Sequence, residues 1–253
     1  AGVSLAFTIS GSETQFVAEM NALAQEIGCT DTFFTNVTGL DNPNQVTTAR
    51  DTIKILRYAM SFPQYEEMMK LTQYTAHPVG GGELTLPNNN NLIRSSSPNS
   101  YYSKALFGKT GFTDQSGFTL VTFAEKNDMR LICVVFNCSD SNIRFTDTRT
   151  LFDWGFDNFK KITASSDTIS SYFSGSNYYQ SAVYSRYPEN FSLSASTLTI
   201  PNHANVSDIT LAVNENYTPE EIDNAYTTGI RFKYGDNTVA TSLLTFSKGT
   251  AHT

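Results

Sequence analysis

Cysteine is scarce in this sequence, and the few positions it occupies exclude two kinds of framework. The three cysteines, Cys29, Cys133 and Cys138, are an odd number, and none of them forms a C-x-x-C pair. A disulfide framework needs an even set, and a zinc site of the knuckle type needs closely spaced pairs. We therefore predict that the three cysteines are small buried apolar residues and that the chain binds no metal.

An excess of positive charge and long apolar runs are also missing. The formal net charge is -7, so the sequence lacks the basic surface that binds nucleic acid. No apolar run approaches the ~18 residues of a transmembrane helix, and residues 1–7 lack the basic start of a signal peptide. We expect a soluble chain trimmed from an exported protein, which would reach a membrane surface only through a segment outside this sequence.

Polar caps and apolar spacing predict three helices in the first part of the sequence. A capping box begins at Ser12, and apolar side chains then recur at helical spacing, which predicts a helix over residues 12–28. A second helix is predicted to begin near Thr48, and a third follows Pro63, a residue suited to the first helical position. Residues 31–46 are predicted to form a loop.

Strand patterns follow these helices. Residues 118–124 and 129–136 are rich in β-branched and aromatic side chains, and the turn-forming residues 126–128 separate them. This pattern predicts two adjacent antiparallel strands. Residues 145–160 are predicted to form a helix that covers this sheet, and residues 84–86 belong to a short hairpin or surface excursion.

The composition changes after Ile162 towards Ser, Thr, Tyr and Asn. Short alternating runs typical of strands follow at residues 192–200, 208–213 and 229–234. The sequence therefore predicts two domains, residues 1–162 and residues 163–253, of which the second is all-β.

A short motif with chemical potential, Lys109-Thr110-Gly111, lies one loop ahead of the predicted strand pair. This position predicts that the motif lies on or beside an edge strand. Alone, such a triplet is an ordinary solvated lysine before a glycine turn, because three-residue motifs recur by chance. Its meaning depends on the motifs that accompany it.

The accompanying segments resemble those of the D-alanyl-D-alanine carboxypeptidases, which are low-molecular-mass penicillin-binding proteins and carry a K-T-G motif. The matching segments are residues 15–21, Gly28, Thr32, Phe34, Asn36, Gly39-Leu40, Thr47-Thr48-Ala49-Arg50-Asp51, residues 88–93, Ser141, Arg144, Arg149, Leu151, Trp154-Gly155-Phe156, Phe159 and Leu198-Thr199-Ile200-Pro201. We interpret Trp154 as a core residue, and Asn21 and Asn36 as local hydrogen-bond partners of the backbone.

The resemblance covers essentially the whole chain and implies a fold. The expected class is α+β: part of a penicillin-binding-protein and β-lactamase-like transpeptidase domain, with helices on an antiparallel sheet, followed by a small all-β sandwich domain. Residues 1–162 would be the C-terminal part of the catalytic domain.

One departure from the family pattern concerns the nucleophile. No S-x-x-K occurs, and the S-x-N triplet at residues 97–99 lies in a proline-containing loop on the wrong side of the family's motif order. Residues 1–6 resemble the segment that follows the family's S-x-N-D, so we expect the chain to start just after that motif. An apolar face would then be exposed, and we expect an N-terminal fragment of the same protein or a partner chain to cover it.

The resemblance implies catalytic roles for three residues of the motif. Lys109 would supply positive charge near the nucleophile and the terminal carboxylate of the substrate. Thr110 would donate a hydroxyl hydrogen bond to that carboxylate, and Gly111 would let the strand approach the substrate closely.

Three further residues would bind substrate. A backbone N–H at or near Phe112 would contribute to an oxyanion hole, and the side chains of Phe112 and Thr113 would shape the pocket. Arg144 aligns with a family arginine that helps to recognise the terminal carboxylate, a task suited to a planar guanidinium. An ordinary surface ion pair is the competing interpretation of Arg144.

The implied function is removal of the terminal D-alanine from peptidoglycan stem peptides through an acyl-serine intermediate, without a cofactor. The implied partners are peptides ending in D-Ala-D-Ala and β-lactam antibiotics, and the implied location is the bacterial cell envelope. A β-lactamase is disfavoured because residues 34–40 contain no acid. The alternative from another class is a non-catalytic cell-wall binding or scaffold protein with a degenerate penicillin-binding fold.

Overall fold

The helices and strands of the chain are seen in a computed structural model that describes residues 1–164, 186–194, 196–222 and 225–247. The chain divides into two units, residues 1–155 and residues 156–253. The predicted boundary at Ile162 therefore falls inside the second unit. The division into part of a catalytic domain and a β-rich domain stays a prediction.

Five helices are described from residue 2 to residue 158. They are α1 (Gly2–Ser10), α2 (Glu13–Glu26), α3 (Ala49–Ala59), α4 (Pro63–Met69) and α5 (Ile143–Asn158). The predicted starts near Thr48 and Pro63 are confirmed. Only half of the predicted capping box forms, because Ser12 accepts from the Gln15 N–H at 3.1 Å while the Gln15 side chain donates to Glu19.

Three antiparallel strands form the sheet of the first unit, in the order β3 (Ala105–Thr113), β4 (Gly117–Lys126) and β5 (Met129–Cys138). The predicted β4–β5 pair is confirmed. Asn127 and Asp128 make its turn with φ of 51° and 60°, the left-handed region that two-residue hairpin turns require. A separate exposed hairpin pairs β1 (Gln73–Ala76) with β2 (Leu84–Pro87).

Helices pack against this sheet through aromatic and aliphatic side chains. Phe107 and Phe123 stack with ring centroids 4.9 Å apart and form a cluster with Leu56 of α3. A Cβ on Gly155 would lie 2.7 Å from a Leu131 methyl group, so glycine lets α5 approach β5 closely. Trp154 is next to this contact and is 58% exposed. Its predicted core position is wrong, because one residue along a helix turns the side chain about 100° away from the sheet.

Helix α1 exposes several apolar side chains. Leu5, Phe7 and Ile9 are 60%, 55% and 66% exposed, and only Ala6 of this helix is buried. These side chains lie around the helix and not on a single face. The large apolar face expected from the missing segment, and what covers it, stay predictions.

Asp51 is a buried carboxylate that anchors α3 to the preceding loop. It accepts hydrogen bonds from the Asp31 N–H and the Thr32 hydroxyl, both at 2.9 Å, and pairs with the Lys54 ammonium at 2.8 Å. The hydrogen bond from Lys54 is the main reason that the pKa of Asp51 lies below its ordinary value. The aspartate of the family-like segment 47–51 thus has a structural role.

Replacing Asp51 with Asn is expected to lower the thermal unfolding midpoint of the full-length protein by about 5 °C or more at pH 7. An amide cannot accept from all three donors, and it carries no charge to pair with Lys54. A depressed folded-state pKa stabilises the fold at pH values above the unfolded pKa of ~3.9 and is lost as pH falls through the folded pKa. Calorimetry should therefore show the two midpoints converging below about pH 4, and an unchanged difference at pH 3 would contradict this account.

The second unit consists of two antiparallel sheets in its described part. Its strands are β6 (Phe159–Ala164), β7 (Phe191–Leu193), β8 (Ser196–Pro201), β9 (Ile209–Val213), β10 (Glu220–Ile222), β11 (Ala225–Tyr234) and β12 (Asn237–Ser247). Strands β6 and β8 pair with each other, and the other five form the second sheet. Buried side chains from both sheets, including Leu198, Ile200 and Phe232, share one core.

Two predictions about this region need correction. Phe159 begins β6, so the predicted helix 145–160 ends at Asn158. The predicted strand 192–200 is two strands with different partners, since β7 pairs with β12 and β8 pairs with β6. Alternation of residues along a strand predicts which side chains share a face, but it does not predict which strand will pair with it. The different pairing partners of β7 and β8 could therefore not be predicted from the sequence.

The cysteines agree with the expectation drawn from the sequence. All three cysteines are free and buried, and burial raises the pKa of Cys133 to about 11. Among the described helices, none has the length and apolar character to cross a membrane.

Candidate functional site

An open cleft of about 1270 Å³ lies along the edge strand β3 in the first unit. Its lining includes residues 109–113 of β3, Phe34, residues 36–39 and residues 45–47, and Arg144 contributes from the start of α5. The prediction that the motif strand is an edge strand facing a cleft shared with Arg144 is confirmed. All six residues singled out in the sequence, Lys109, Thr110, Gly111, Phe112, Thr113 and Arg144, meet in this cleft.

Lys109 places a positive charge on the cleft surface. Its side chain is exposed, and Nζ donates to the Thr110 carbonyl at 2.5 Å. Lys109 and Arg144 are the only ionisable side chains in the cleft lining, and no carboxylate lines it among the described residues. In a chain with a net charge of -7, this local excess of two cations attracts an anion.

Arg144 braces the motif strand from the side. Its Nη1 donates to the Gly111 carbonyl at 3.2 Å, and its guanidinium lies against the rings of Phe118 and Phe145, at 5.2 Å and 4.8 Å from the centroids. Its Nε is buried without a hydrogen-bond partner. Burial lowers the pKa of Arg144, yet a guanidinium remains charged in neutral solution. The side chain therefore keeps donor capacity beside the strand.

Two glycines let β3 lie close against β4. A Cβ on Gly108 would lie 2.3 Å from the Val121 carbonyl oxygen, and a Cβ on Gly111 would lie 2.5 Å from the Thr119 hydroxyl. The family resemblance implies that Gly111 lets the strand backbone approach the substrate closely. The structure adds a packing reason within the sheet, where a side chain would displace Thr119.

Thr113, the last residue of β3, is hydrogen-bonded to Ser116 in the turn that follows. Its hydroxyl donates to Ser116 Oγ at 2.7 Å and accepts from the Ser116 N–H at 3.0 Å, which fixes the β3–β4 turn. Phe112 stacks on Phe118 with centroids 4.3 Å apart, although it is still 54% exposed. Thr113 therefore contributes to the shape of the cleft through the turn that it holds, and Phe112 contributes through its stacking on Phe118.

A second cluster holds the beginning of β3 onto α5. Asp153 accepts from the Tyr102 hydroxyl and the Lys104 ammonium, both at 2.7 Å, and the Tyr102 ring stacks on Phe152. Burial is the main cause that raises the pKa of Tyr102 to about 12. Strand β3 is thus held to one helix near both of its ends, by Asp153 and by Arg144.

Sequence reasoning missed several residues of the cleft. Asn89, Asn91, Gln45 and Ser116 also line it. The resemblance at residues 88–93 was a signal for the two asparagines, whereas nothing in the sequence marked Gln45. Both asparagines bond the backbone as predicted, but only Asn36 does so locally, since Asn21 bonds Phe34 thirteen residues away. Within the described ranges, no group of three or more metal-ligating side chains is present.

Comparison with known protein families identifies the family to which the chain belongs. The family model described as D-alanyl-D-alanine carboxypeptidase matches residues 1–140, more than half of the chain. The chain belongs to this family, as the resemblance implied.

Individual relatives agree with this assignment. D-alanyl-D-alanine carboxypeptidase DacC of Escherichia coli is 36% identical over 166 residues, which are 64% of this chain and 38% of that protein. Penicillin binding protein 6B of E. coli has a similar structure, with a TM-score of 0.61 and 26% identity over 95% of this chain and 62% of that one. Penicillin binding protein 5 of Haemophilus influenzae shares the fold at a TM-score of 0.68 and 22% identity. The chain spans about two fifths of the length of the E. coli DacC and H. influenzae DacA carboxypeptidases that it matches.

Proposed function

We propose that the cleft along β3 is one wall of a serine-type D-alanyl-D-alanine carboxypeptidase site. The reaction would be acyl transfer: a serine attacks the peptide carbonyl between two D-alanines, the last D-alanine leaves, and water cleaves the acyl-enzyme. The natural substrates would be peptidoglycan stem peptides ending in D-Ala-D-Ala, and β-lactams would acylate the same serine. The protein would act in the bacterial cell envelope, at the outer face of the cytoplasmic membrane or in the periplasm.

The observation that carries this proposal is the pair of cations in a cleft without a carboxylate. Lys109 and Arg144 both line it, and the lining side chains include no acid among the described residues. A substrate of a carboxypeptidase must present a free terminal carboxylate. Arginine binds such a group through two parallel hydrogen bonds, and lysine adds a compact positive charge.

Each motif residue has a role that its position supports. Lys109 would stabilise the nucleophile and the carboxylate, and Thr110 would donate its hydroxyl to the carboxylate. An N–H of β3 near Phe112, on the side away from β4, would contribute to the oxyanion hole, which is often the largest electrostatic contribution in acyl transfer. Arg144 would hold the strand through Gly111 and complete the carboxylate site.

The nucleophile would be a serine outside residues 1–253. The sequence contains no S-x-x-K, and the family's base is the lysine of that motif. This same observation favours the second candidate, a cell-wall binding or scaffold protein without catalysis. The two candidates differ in a single property, which is covalent acylation.

Fluorescent penicillin tests the proposal on the full-length gene product and on residues 1–253 alone. We expect the full-length protein to be labelled and to release D-alanine from a peptide ending in D-Ala-D-Ala, and the isolated 253-residue chain to remain unlabelled. A full-length protein that neither labels nor releases D-alanine would favour the scaffold candidate. A full-length protein that hydrolyses penicillin with rapid turnover would favour a β-lactamase.

A further inference from the structure

Part of the cleft lining is a loop whose two ends are joined by backbone hydrogen bonds. The Phe33 N–H donates to the Val46 carbonyl at 2.9 Å, and the Val46 N–H donates to the Phe33 carbonyl at 3.1 Å. Asn21 of α2 adds two bonds of 2.8 Å, one to each backbone group of Phe34. These bonds hold both ends of the segment 34–46 together and join it to α2. We call this segment the cleft loop.

One side chain links the two legs of the cleft loop. Gln45 Oε1 accepts from the Thr35 N–H at 3.1 Å and from the Asn36 N–H at 3.3 Å, and it also accepts from the Thr35 hydroxyl. Its Nε2 donates to the Leu40 carbonyl at 3.3 Å. Asn36 completes the tip, where its Oδ1 accepts from the N–H of Gly39, whose φ of 77° favours glycine.

The cleft loop differs from β3 in charge. Its residues in the lining are apolar or neutral polar, and none carries a charge: Phe34, Asn36, Val37, Thr38, Gly39, Gln45 and Val46. The positive charges of the lining are Lys109 of β3 and Arg144 of α5. The cleft lining therefore carries its positive charge on β3 and α5, and the part that the cleft loop contributes is uncharged, so the lining offers different surfaces to different parts of a substrate.

We propose that the cleft loop is the specificity-determining wall of the site and that Gln45 is its positioning residue. The loop would contact the acyl side of the substrate, the part ahead of the terminal D-Ala-D-Ala, and would favour an uncharged group there. This inference rests on the proposed carboxypeptidase function. Gln45 acts by holding the cleft loop in place. Its loss should therefore weaken binding most for substrates that extend far from the scissile bond on the acyl side.

Two peptides that share D-Ala-D-Ala separate this role from general support of the fold. The short one is N-acetyl-D-Ala-D-Ala, and the long one is Nα,Nε-diacetyl-L-Lys-D-Ala-D-Ala. In the full-length protein, Gln45→Ala should raise KM for the long peptide roughly tenfold while changing kcat/KM for the short peptide less than about threefold. Gln25→Ala is the matched control, because Gln25 is exposed on α2 and does not line the cleft.

A second variant keeps the test decisive if Gln45→Ala folds poorly. Gln45→Glu retains acceptor oxygens for Thr35 and Asn36, loses the donor to the Leu40 carbonyl and places a negative charge in the uncharged part of the lining. It should shift preference about fivefold or more towards the long peptide with a free lysine amine over its acetylated form.

The possible outcomes separate the inference from the proposed function. Equal losses on the short and long peptides, or no loss on either, would overturn the role of Gln45. An unchanged preference in Gln45→Glu would show that the loop does not contact the acyl group. A wild-type protein that cleaves neither peptide would overturn the carboxypeptidase function, and the inference with it.

Discussion

Lys109→Ala should reduce the acylation rate of the full-length protein by fluorescent penicillin roughly 10²- to 10³-fold. The substitution removes one of the two cations in a cleft that no carboxylate lines among the described residues. In the proposed site, it would therefore remove charge stabilisation from both the nucleophile and the carboxylate of the β-lactam. The rate constant should be measured under single-turnover conditions, so that binding and chemistry can be separated.

Lys70→Ala is the matched control for this substitution. Lys70 is exposed, pairs with Glu66 on α4 and lies outside the cleft lining. Its loss should leave acylation within about twofold of the wild-type rate, as expected for a surface ion pair. Acylation of Lys109→Ala at the wild-type rate would show that the motif strand is not part of the site.

Arg144→Ala should lower kcat/KM for D-alanine release about 10- to 100-fold. The variant loses the hydrogen bond to the Gly111 carbonyl and the second cation of the cleft. Hydrogen bonds to charged groups contribute ~1.5–3 kcal/mol, which corresponds to that range of rates. A peptide with an amidated C-terminus should be a poor substrate of the wild type, and Arg144→Ala should discriminate less between the amide and the free acid.

Arg149→Ala controls for the general effect of losing an arginine from α5. Arg149 also donates to a backbone carbonyl, that of Asn99 at 3.1 Å, and it does not line the cleft. It should keep the wild-type preference for the free acid. If Arg144→Ala also keeps that preference, Arg144 supports the strand without recognising the carboxylate.

The parts of the fold that could be predicted from the sequence are those decided by local chemistry. Thr48 caps α3, Pro63 starts α4, and Asn127 and Asp128 form the β4–β5 turn, each through its own side chain or backbone preference. The other elements of the fold depend on contacts between residues that are far apart in the sequence. Helix α1 was not predicted, since apolar side chains occur around most of its surface, and no narrow stripe marks it as amphipathic.

The same distinction holds for the site. The motif strand could be found from residues 109–111 together with the accompanying family-like segments and the strand pattern that follows, because each of these signals is local in the sequence. Gln45 could not, because its importance comes from bonds to Thr35, Asn36 and Leu40 that exist only once the loop has closed. The bracing role of Asp153 likewise depends on residues about fifty positions away along the chain.

The most direct test of the carboxypeptidase assignment is to map the residue that penicillin acylates. The full-length protein should be treated with benzylpenicillin, digested and analysed by mass spectrometry. We predict a single adduct on a serine that lies outside residues 1–253 and is followed three positions later by lysine, and we predict that Lys109→Ala forms it far more slowly. An adduct on a serine within residues 1–253, or no adduct at all, would contradict the account.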